Sequence, residues 1–231
     1  MKGVLLIALL ASFAARCQQD QDRFQAARAG MVQAQIVERG VQDSATLRAM
    51  GTVPRHKFVP PELTQYAYGD SPLPIGYEQT ISQPYIVAFM TELIKPHKGQ
   101  RVLEVGTGSG YQAAVLAEIV DSVYSIELIQ DLAETAAERL RRLGYRNVAV
   151  RQGDGYVGWA EHAPFDAILV TASAEEIPKP LIDQLKDGGI MVIPVGSDAW
   201  AQSLMVVRKR GKDVAMETVL PVRFVPLIHP R

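Results

Sequence analysis

A doubly wound, mostly parallel α/β sheet of seven strands, with an N-terminal helical arm, is the fold this sequence predicts. Three observations carry it. From residue 84 onward, short apolar runs alternate with segments of helical period. The first run, Arg101–Val105, leads directly into Gly106-Thr-Gly-Ser-Gly110. The last two runs are separated only by a turn at Gly211. Strands alternating with helices make a sheet covered on both faces. Open sheets of this kind take ligands at the carboxyl ends of their strands.

The elements follow in order. Residues 20–50 read as helical, with Phe24, Ala27, Met31, Ala34 and Ile36 spaced roughly as one face. Residues 51–80 are rich in Pro, Gly and Tyr and read as irregular, and long irregular stretches are often functional. Residues 84–94 form a helix with Pro84 in its first turn. The strand 101–105 is followed by a helix over 111–119 and a second strand, 123–126, ending at Glu127. Leu132, Ala136, Leu140 and Leu143 make the apolar stripe of the next helix, which Gly144 ends. Strands then fall at 148–150 and 165–170, a helix at 178–185 stopped by Asp187-Gly-Gly189, and strands at 190–193, 204–207 and 218–225.

Composition bounds the function. The chain has 231 residues, 24 basic against 25 acidic groups, 48% hydrophobic residues and one cysteine. That length suits one large domain, or one domain with an arm. A single cysteine, Cys17, excludes an internal disulfide framework and a cysteine-cluster metal site. Near-zero net charge argues against a phosphate-backbone binder, so nucleic acid is not an expected partner. The histidines at 56, 97, 162 and 229 have no ligand spacing, and no metal is expected. No apolar run has the roughly 18 residues of a membrane-spanning helix.

The first residues leave three readings open. Lys2 precedes the twelve apolar residues Val4–Ala15, the length of a signal-peptide core. Ser12-Phe13-Ala14 offers small residues for cleavage, while Arg16 fits poorly before a lipidated Cys17. A structured apolar helix and a true start at Met31 are the other two. Residues 1–19 are therefore set apart as a possible leader, 20–83 as the helical and substrate-loop region, and 84–231 as the core, one domain with 20–83.

The glycine turn carries the chemistry. Gly106, Gly108 and Gly110 follow a strand in the spacing G-x-G-x-G, with Tyr111 next, so this is not a dinucleotide fingerprint. Glycines there let a ligand approach the backbone, and the helix start adds a positive end. Glu127 ends the second strand, where nucleotide folds accept ribose hydroxyls. Glu104 and Asp154 add carboxylates at neighbouring strand ends, the second flanked by Gly153 and Gly155. Three acids round a glycine turn suit a nucleoside carrying positive charge, such as the sulfonium S-adenosyl-L-methionine.

This block resembles the class I S-adenosylmethionine-dependent methyltransferases, which implies a Rossmann-like sheet. Upstream, Val53-Pro-Arg55, Phe58-Val59, Pro72-Leu-Pro-Ile-Gly76 and Gln79-Thr-Ile-Ser-Gln-Pro-Tyr85 narrow it to the protein-L-isoaspartate O-methyltransferases. Downstream, residues 164–170, Gly188-Gly189, Pro194-Val-Gly196 and Arg223-Phe-Val-Pro-Leu227 match the same family in order. The likeness runs from about residue 31 to 228.

The resemblance implies transfer of a methyl group to the free α-carboxylate of L-isoaspartyl residues in damaged proteins and peptides. The ester closes to a succinimide, and repair begins. Ser82 corresponds to the family's active-site serine, orienting the acceptor rather than forming a covalent bond. Its other reading is an N-cap for the helix at Pro84, and the two roles are compatible. Gln79, Thr80 and Ile81 would complete the loop over cofactor and substrate, and Thr171 would face the crevice or merely end a strand. Asp166 reads as structural and the basic run Arg139–Arg142 as a solvated face, while Arg223 reads as solvated or internally paired, with contact to a substrate carboxylate as its other reading. Transfer to another acceptor, a small molecule or RNA, is the alternative function, and cofactor binding without turnover a further one. A monomer in the cytoplasm is expected, or an exported protein if residues 1–16 act as a signal.

Overall fold

The computed structural model describes residues 22–197 and 201–229. The leader, with Lys2, the apolar stretch 4–15 and Cys17, lies outside the described residues, as does Trp200.

The arm is not one helix. Helix α1 (residues 22–30) winds on as a π-helix over Met31–Val37, and α2 (Ser44–Thr52) starts afresh. The apolar spacing runs on through the break, but polar side chains close it. Glu92 Oε1 accepts the amides of Gln42 and Asp43, each at 2.6 Å, and Asp43 caps Thr46 N at 2.7 Å. Met31 is buried in the core, and Phe24 stacks on His56 at 4.0 Å, so the packed unit begins ahead of Met31.

Residues 51–80 are more ordered than their composition suggests. Two 3₁₀ turns, Arg55–Lys57 and Pro61–Tyr66, precede a hairpin of β1 (Leu73–Gly76) and β2 (Gln79–Ile81). Tyr77 and Glu78 at its tip have φ of 53° and 58°, the positive pair of a tight hairpin turn. Strands this short, one holding Pro74, leave no alternation to read.

The core begins with α3 (Pro84–Leu93) and continues through β3 (Arg101–Val105), α4 (Tyr111–Ala117), β4 (Ser122–Glu127), α5 (Gln130–Arg142) and β5 (Val148–Gln152). It ends with β6 (Phe165–Val170), α6 (Lys179–Gln184), β7 (Leu185–Val195), β8 (Gln202–Arg210) and β9 (Asp213–Val222). The seven-stranded sheet has the order β5-β4-β3-β6-β7-β8-β9. Pairs from β5 through β7 are parallel, and β7–β8 and β8–β9 are antiparallel. Two strands start five residues earlier than expected. β7 begins at Leu185, absorbing Asp187-Gly-Gly189 in a register shift opposite Phe165 and Ala167. β9 begins at Asp213 because β8 gives its polar residues an antiparallel partner.

Alternate residues of β6 enter opposite cores: Ala167 and Leu169 join one buried cluster, Ile168 and Val170 the other. The first cluster also takes Met31, Ile36, Met50 and Phe58 from the arm. The chain runs outward from β3 to β4 and β5, then returns to β6 on the other side of β3. That reversal opens a crevice at the carboxyl ends of β3 and β6. No helix among the described residues is long and apolar enough to cross a membrane.

Candidate active site

The crevice is floored by the turn after β3. Gly106 N and Thr107 N both donate to Ile126 O, at 2.8 and 3.2 Å, binding the turn to β4. Gly108 N donates to Glu127 Oε2 at 2.8 Å, and Ile129 N to Oε1 at 3.1 Å. Thr171 closes the other side. Its hydroxyl donates toward Gly106 O at 2.6 Å and Val105 O at 3.0 Å, so it both ends β6 and braces the turn.

Three adjoining cavities occupy this region. One of about 70 Å³ lies between the hairpin residues Gln79 and Thr80, the glycines 106, 108 and 155, Glu127, and the C-terminal segment 225–228. A second, of about 40 Å³, joins Ile81 and Ser82 to Gly106–Ser109 and Tyr111. The third, of about 560 Å³, is bounded by Ser82, Arg39 and residues 220–225. Thr80 and Thr171 line all three, and Ser82 lines the last two.

Ser82 does not cap α3. Gln83 is the N-cap residue and no side-chain cap bond is made. Among the described residues the Ser82 hydroxyl has no hydrogen-bond partner, which leaves it for whatever enters the cavities.

Three expected contacts lie outside these walls. Glu104 shares the β3 face of Val102, so its side chain runs under α4 rather than out of the strand end. It is fully buried and accepts from the Ser125 hydroxyl, its register neighbour on β4, which also meets Thr107 Oγ1 at 2.6 Å. Burial pushes the Glu104 carboxyl up to about 8; the Ser125 hydroxyl opposes the rise, and the Glu127 charge adds to it. Gly110 has φ of 86°, and a Cβ there would meet Leu140 Cδ1 at 3.2 Å, so it lets α5 pack on the start of α4. Asp154 accepts Tyr156 N at 2.9 Å and lies 3.1 Å from His229 Nδ1 at the chain's far end. Tyr156 stacks on His229 at 4.0 Å and donates to Leu227 O at 3.1 Å, fastening the C-terminal segment over the first cavity.

Some residues in the site were read differently from the sequence. Arg139, taken as a solvated face, donates to Ser109 O at 2.7 Å and so holds the glycine turn. Tyr77 donates to Asp131 Oδ2 at 2.6 Å, joining the hairpin tip to α5 across the crevice. Arg39 sits 3.5 Å over the Tyr85 ring and pairs with Asp70 at 2.8 Å at the mouth of the large cavity. No sequence signal marks these pairings, since each joins residues more than 29 positions apart. No group of three or more His, Cys, Asp or Glu side chains among the described residues could hold a metal ion.

The family model described as protein-L-isoaspartate(D-aspartate) O-methyltransferase matches residues 26–231. The chain belongs to that family. A protein-L-isoaspartate O-methyltransferase 2 from Syntrophobacter fumaroxidans is 56% identical over 238 residues, covering 97% of this chain and 96% of that protein. The Opitutus terrae protein-L-isoaspartate O-methyltransferase is 56% identical over 204 residues, 88% of each chain. A solved protein-L-isoaspartate O-methyltransferase superposes with a TM-score of 0.78 at 32% identity, covering 86% of this chain and 65% of that one. A Plasmodium falciparum structure under the same family name, in complex with S-adenosyl-L-homocysteine, gives 0.75 at 26% identity over 90% and 99% of the two chains. This isoaspartyl methyltransferase family member is thus an enzyme with a methyltransferase sheet, as expected from residues 84–231. The Syntrophobacter alignment extends ahead of residue 26, into the segment that the sequence leaves open.

Proposed function

We propose that the joined cavities carry a methyl group from S-adenosyl-L-methionine to the free α-carboxylate of an L-isoaspartyl residue, with Ser82 orienting the acceptor. The observation that carries this is the position of Ser82. Its uncommitted hydroxyl stands where the small cavity at the glycine turn meets the large cavity at the surface.

The walls fit a cationic nucleoside. Gly106 and Gly108 line the cavity with bare backbone, a Cβ on the first meeting the Thr171 hydroxyl and one on the second Ile75 Cδ1, and Glu127 keeps lone pairs for ribose hydroxyls beside its two amide bonds. Gly155 borders the end we assign to adenine, with Gln79, Thr80 and Ile81 above and Thr171 beside the turn. Glu104, Gly110 and Asp154 hold these walls from behind. When bound, S-adenosyl-L-methionine supplies an activated methyl group on a sulfonium.

The chain's own residues then align the partners. An acceptor carboxylate of ordinary pKa, about 4, is ionised at neutral pH and needs no base. The Ser82 hydroxyl donates to one carboxylate oxygen and leaves a lone pair of the other facing the glycine turn. Orientation of this kind is worth effective molarities of roughly 10⁵–10⁸ M in well-aligned systems. The ester so formed closes to a succinimide as the neighbouring backbone amide nitrogen displaces methanol, and hydrolysis of the succinimide returns part of the chain to a normal aspartyl bond.

The large cavity suits isoaspartyl proteins and peptides, and nucleic acid is not a partner on this reading. A monomer goes with this reading. Residues 22–83 share a buried cluster with the sheet, which supports one domain. Supply of S-adenosyl-L-methionine favours the cytoplasm.

Labelled S-adenosyl-L-methionine and an isoaspartyl peptide test the activity: base-labile methyl ester should form, and not on the normal aspartyl peptide. Ser82→Ala should lower kcat with cofactor affinity little changed. Equal rates in the variant and the parent would remove the role given to Ser82.

A further inference from the structure

Arg55 is fully buried, yet no carboxylate pairs with it among the described residues. Its Nη1 has no hydrogen-bond partner among the described residues. Burying an unpaired guanidinium is costly, and an apolar side chain would fill the same space more cheaply. Its remaining contacts say what it does there. Nε donates to Ala67 O at 2.8 Å, and Nη2 donates to Ser82 O at 2.7 Å. The guanidinium also lies 4.8 Å from the centroid of the Tyr111 ring, the first residue of α4 beyond the glycine turn.

One rigid planar group therefore touches three segments at once: the end of the second 3₁₀ turn, the loop of Ser82, and the helix that the glycine turn begins. Ser82 and Tyr111 both line the small cavity with Gly106–Ser109. From this geometry we infer that Arg55 is a positioning residue, which sets the spacing between the Ser82 hydroxyl and the glycine turn by gripping the Ser82 carbonyl. The inference rests on the role given to Ser82 above. A planar fork suits it, because lysine offers one point charge and cannot hold two carbonyls at fixed angles while stacking on a ring. The buried charge also draws the Ser82 carbonyl inward, so the peptide at 82 has one orientation and its side chain faces the cavities.

The test is a double-mutant cycle of Arg55→Lys and Ser82→Ala in the full chain. Rates are taken with saturating S-adenosyl-L-methionine and isoaspartyl peptide, at a temperature where melting curves show each variant folded. Arg55→Lys should lower kcat about 10- to 100-fold, the scale of a small misplacement of reacting groups. Peptide KM and the Kd for S-adenosyl-L-homocysteine should stay within about threefold. In the Ser82→Ala background the same change should cost nothing further, since its effect passes through Ser82.

Independent, multiplying losses would overturn the proposal while leaving Ser82 its role. So would a normal kcat in Arg55→Lys with only a lowered melting temperature, the mark of a merely structural residue. A normal kcat in Ser82→Ala alone would remove the reading on which the proposal rests, and is seen separately. Should Arg55→Lys not fold, Arg55→Gln, whose amide nitrogen reaches the Nε position and keeps the donor toward Ala67 O while losing the one toward Ser82 O, takes its place in the cycle. Failure of both to fold even with S-adenosyl-L-homocysteine would mark Arg55 as needed for folding alone.

Discussion

The last residue of β4, Glu127, holds the middle glycine of the turn after β3: its Oε2 accepts the Gly108 amide at 2.8 Å. One carboxylate thus shapes the floor of the crevice and still faces its interior.

Glu127→Gln should therefore act twice, loosening the turn and removing the charge proposed to accept the ribose hydroxyls. Hydrogen bonds to charged groups contribute about 1.5–3 kcal/mol, or roughly 10- to 100-fold in affinity. Calorimetric titration with S-adenosyl-L-homocysteine reads this directly. An unchanged Kd would mean that Glu127 does not contact the ligand.

Thr171→Val keeps the shape of the side chain and removes the hydroxyl that serves Gly106 O and Val105 O. Leaving buried carbonyls short of a donor costs about 1–3 kcal/mol. Urea unfolding should show that loss with an unchanged slope, and weaker cofactor binding should accompany it.

Gly110→Ala separates packing from ligand contact. A left-handed backbone carrying a Cβ costs about 1–2 kcal/mol, and here the new atom also presses on Leu140. Stability should fall while the folded fraction binds S-adenosyl-L-homocysteine with normal affinity. A large affinity loss at constant stability would return Gly110 to the cavity wall.

Two groups, Glu104 fully buried and His56 half-buried, shape stability against pH in opposite senses. Glu104 holds its proton up to about pH 8, against an ordinary value of 4.5, mainly because it is buried. The folded state binds the extra proton between those values, so stability is lost as pH rises through them. His56 is held down to about 4, chiefly by burial and then by the charges of Lys57 and Arg28, so its contribution grows between about 4 and 6.5. The two largely cancel up to about pH 6.5, and above it only the Glu104 decline remains. Denaturant melts of the parent should weaken from pH 6.5 to 8, and Glu104→Gln should be flat there. A parallel decline in the variant would assign the effect elsewhere.

The sheet was legible because parallel strands are apolar along their length and their helices carry stripes such as Leu132, Ala136 and Leu140. What escaped reading depends on partners far along the chain. Gly40, with φ of 95°, and the capping Asp43 are the marks of the break in Glu38–Asp43, while Glu92, which closes it, lies fifty residues away. The hairpin at 73–81 is too short for its pattern to rise above Pro74 and Gly76. In the site, Gly106, Gly108, Glu127, Gly155, Gln79, Thr80, Ile81, Ser82 and Thr171 reach the cavities. Glu104 does not, because one position along a strand changes the face. Arg55 was visible only as part of a motif, since burial of a charge leaves no mark on composition.

A Cβ on Gly108 would meet Ile75 Cδ1, a residue of β1, at 3.3 Å. The bare backbone at 108 is thus what lets the hairpin settle against the turn. Gln79 and Thr80, on the paired strand, line the first cavity, so a glycine with no side chain of its own sets how closely two other side chains stand over the turn.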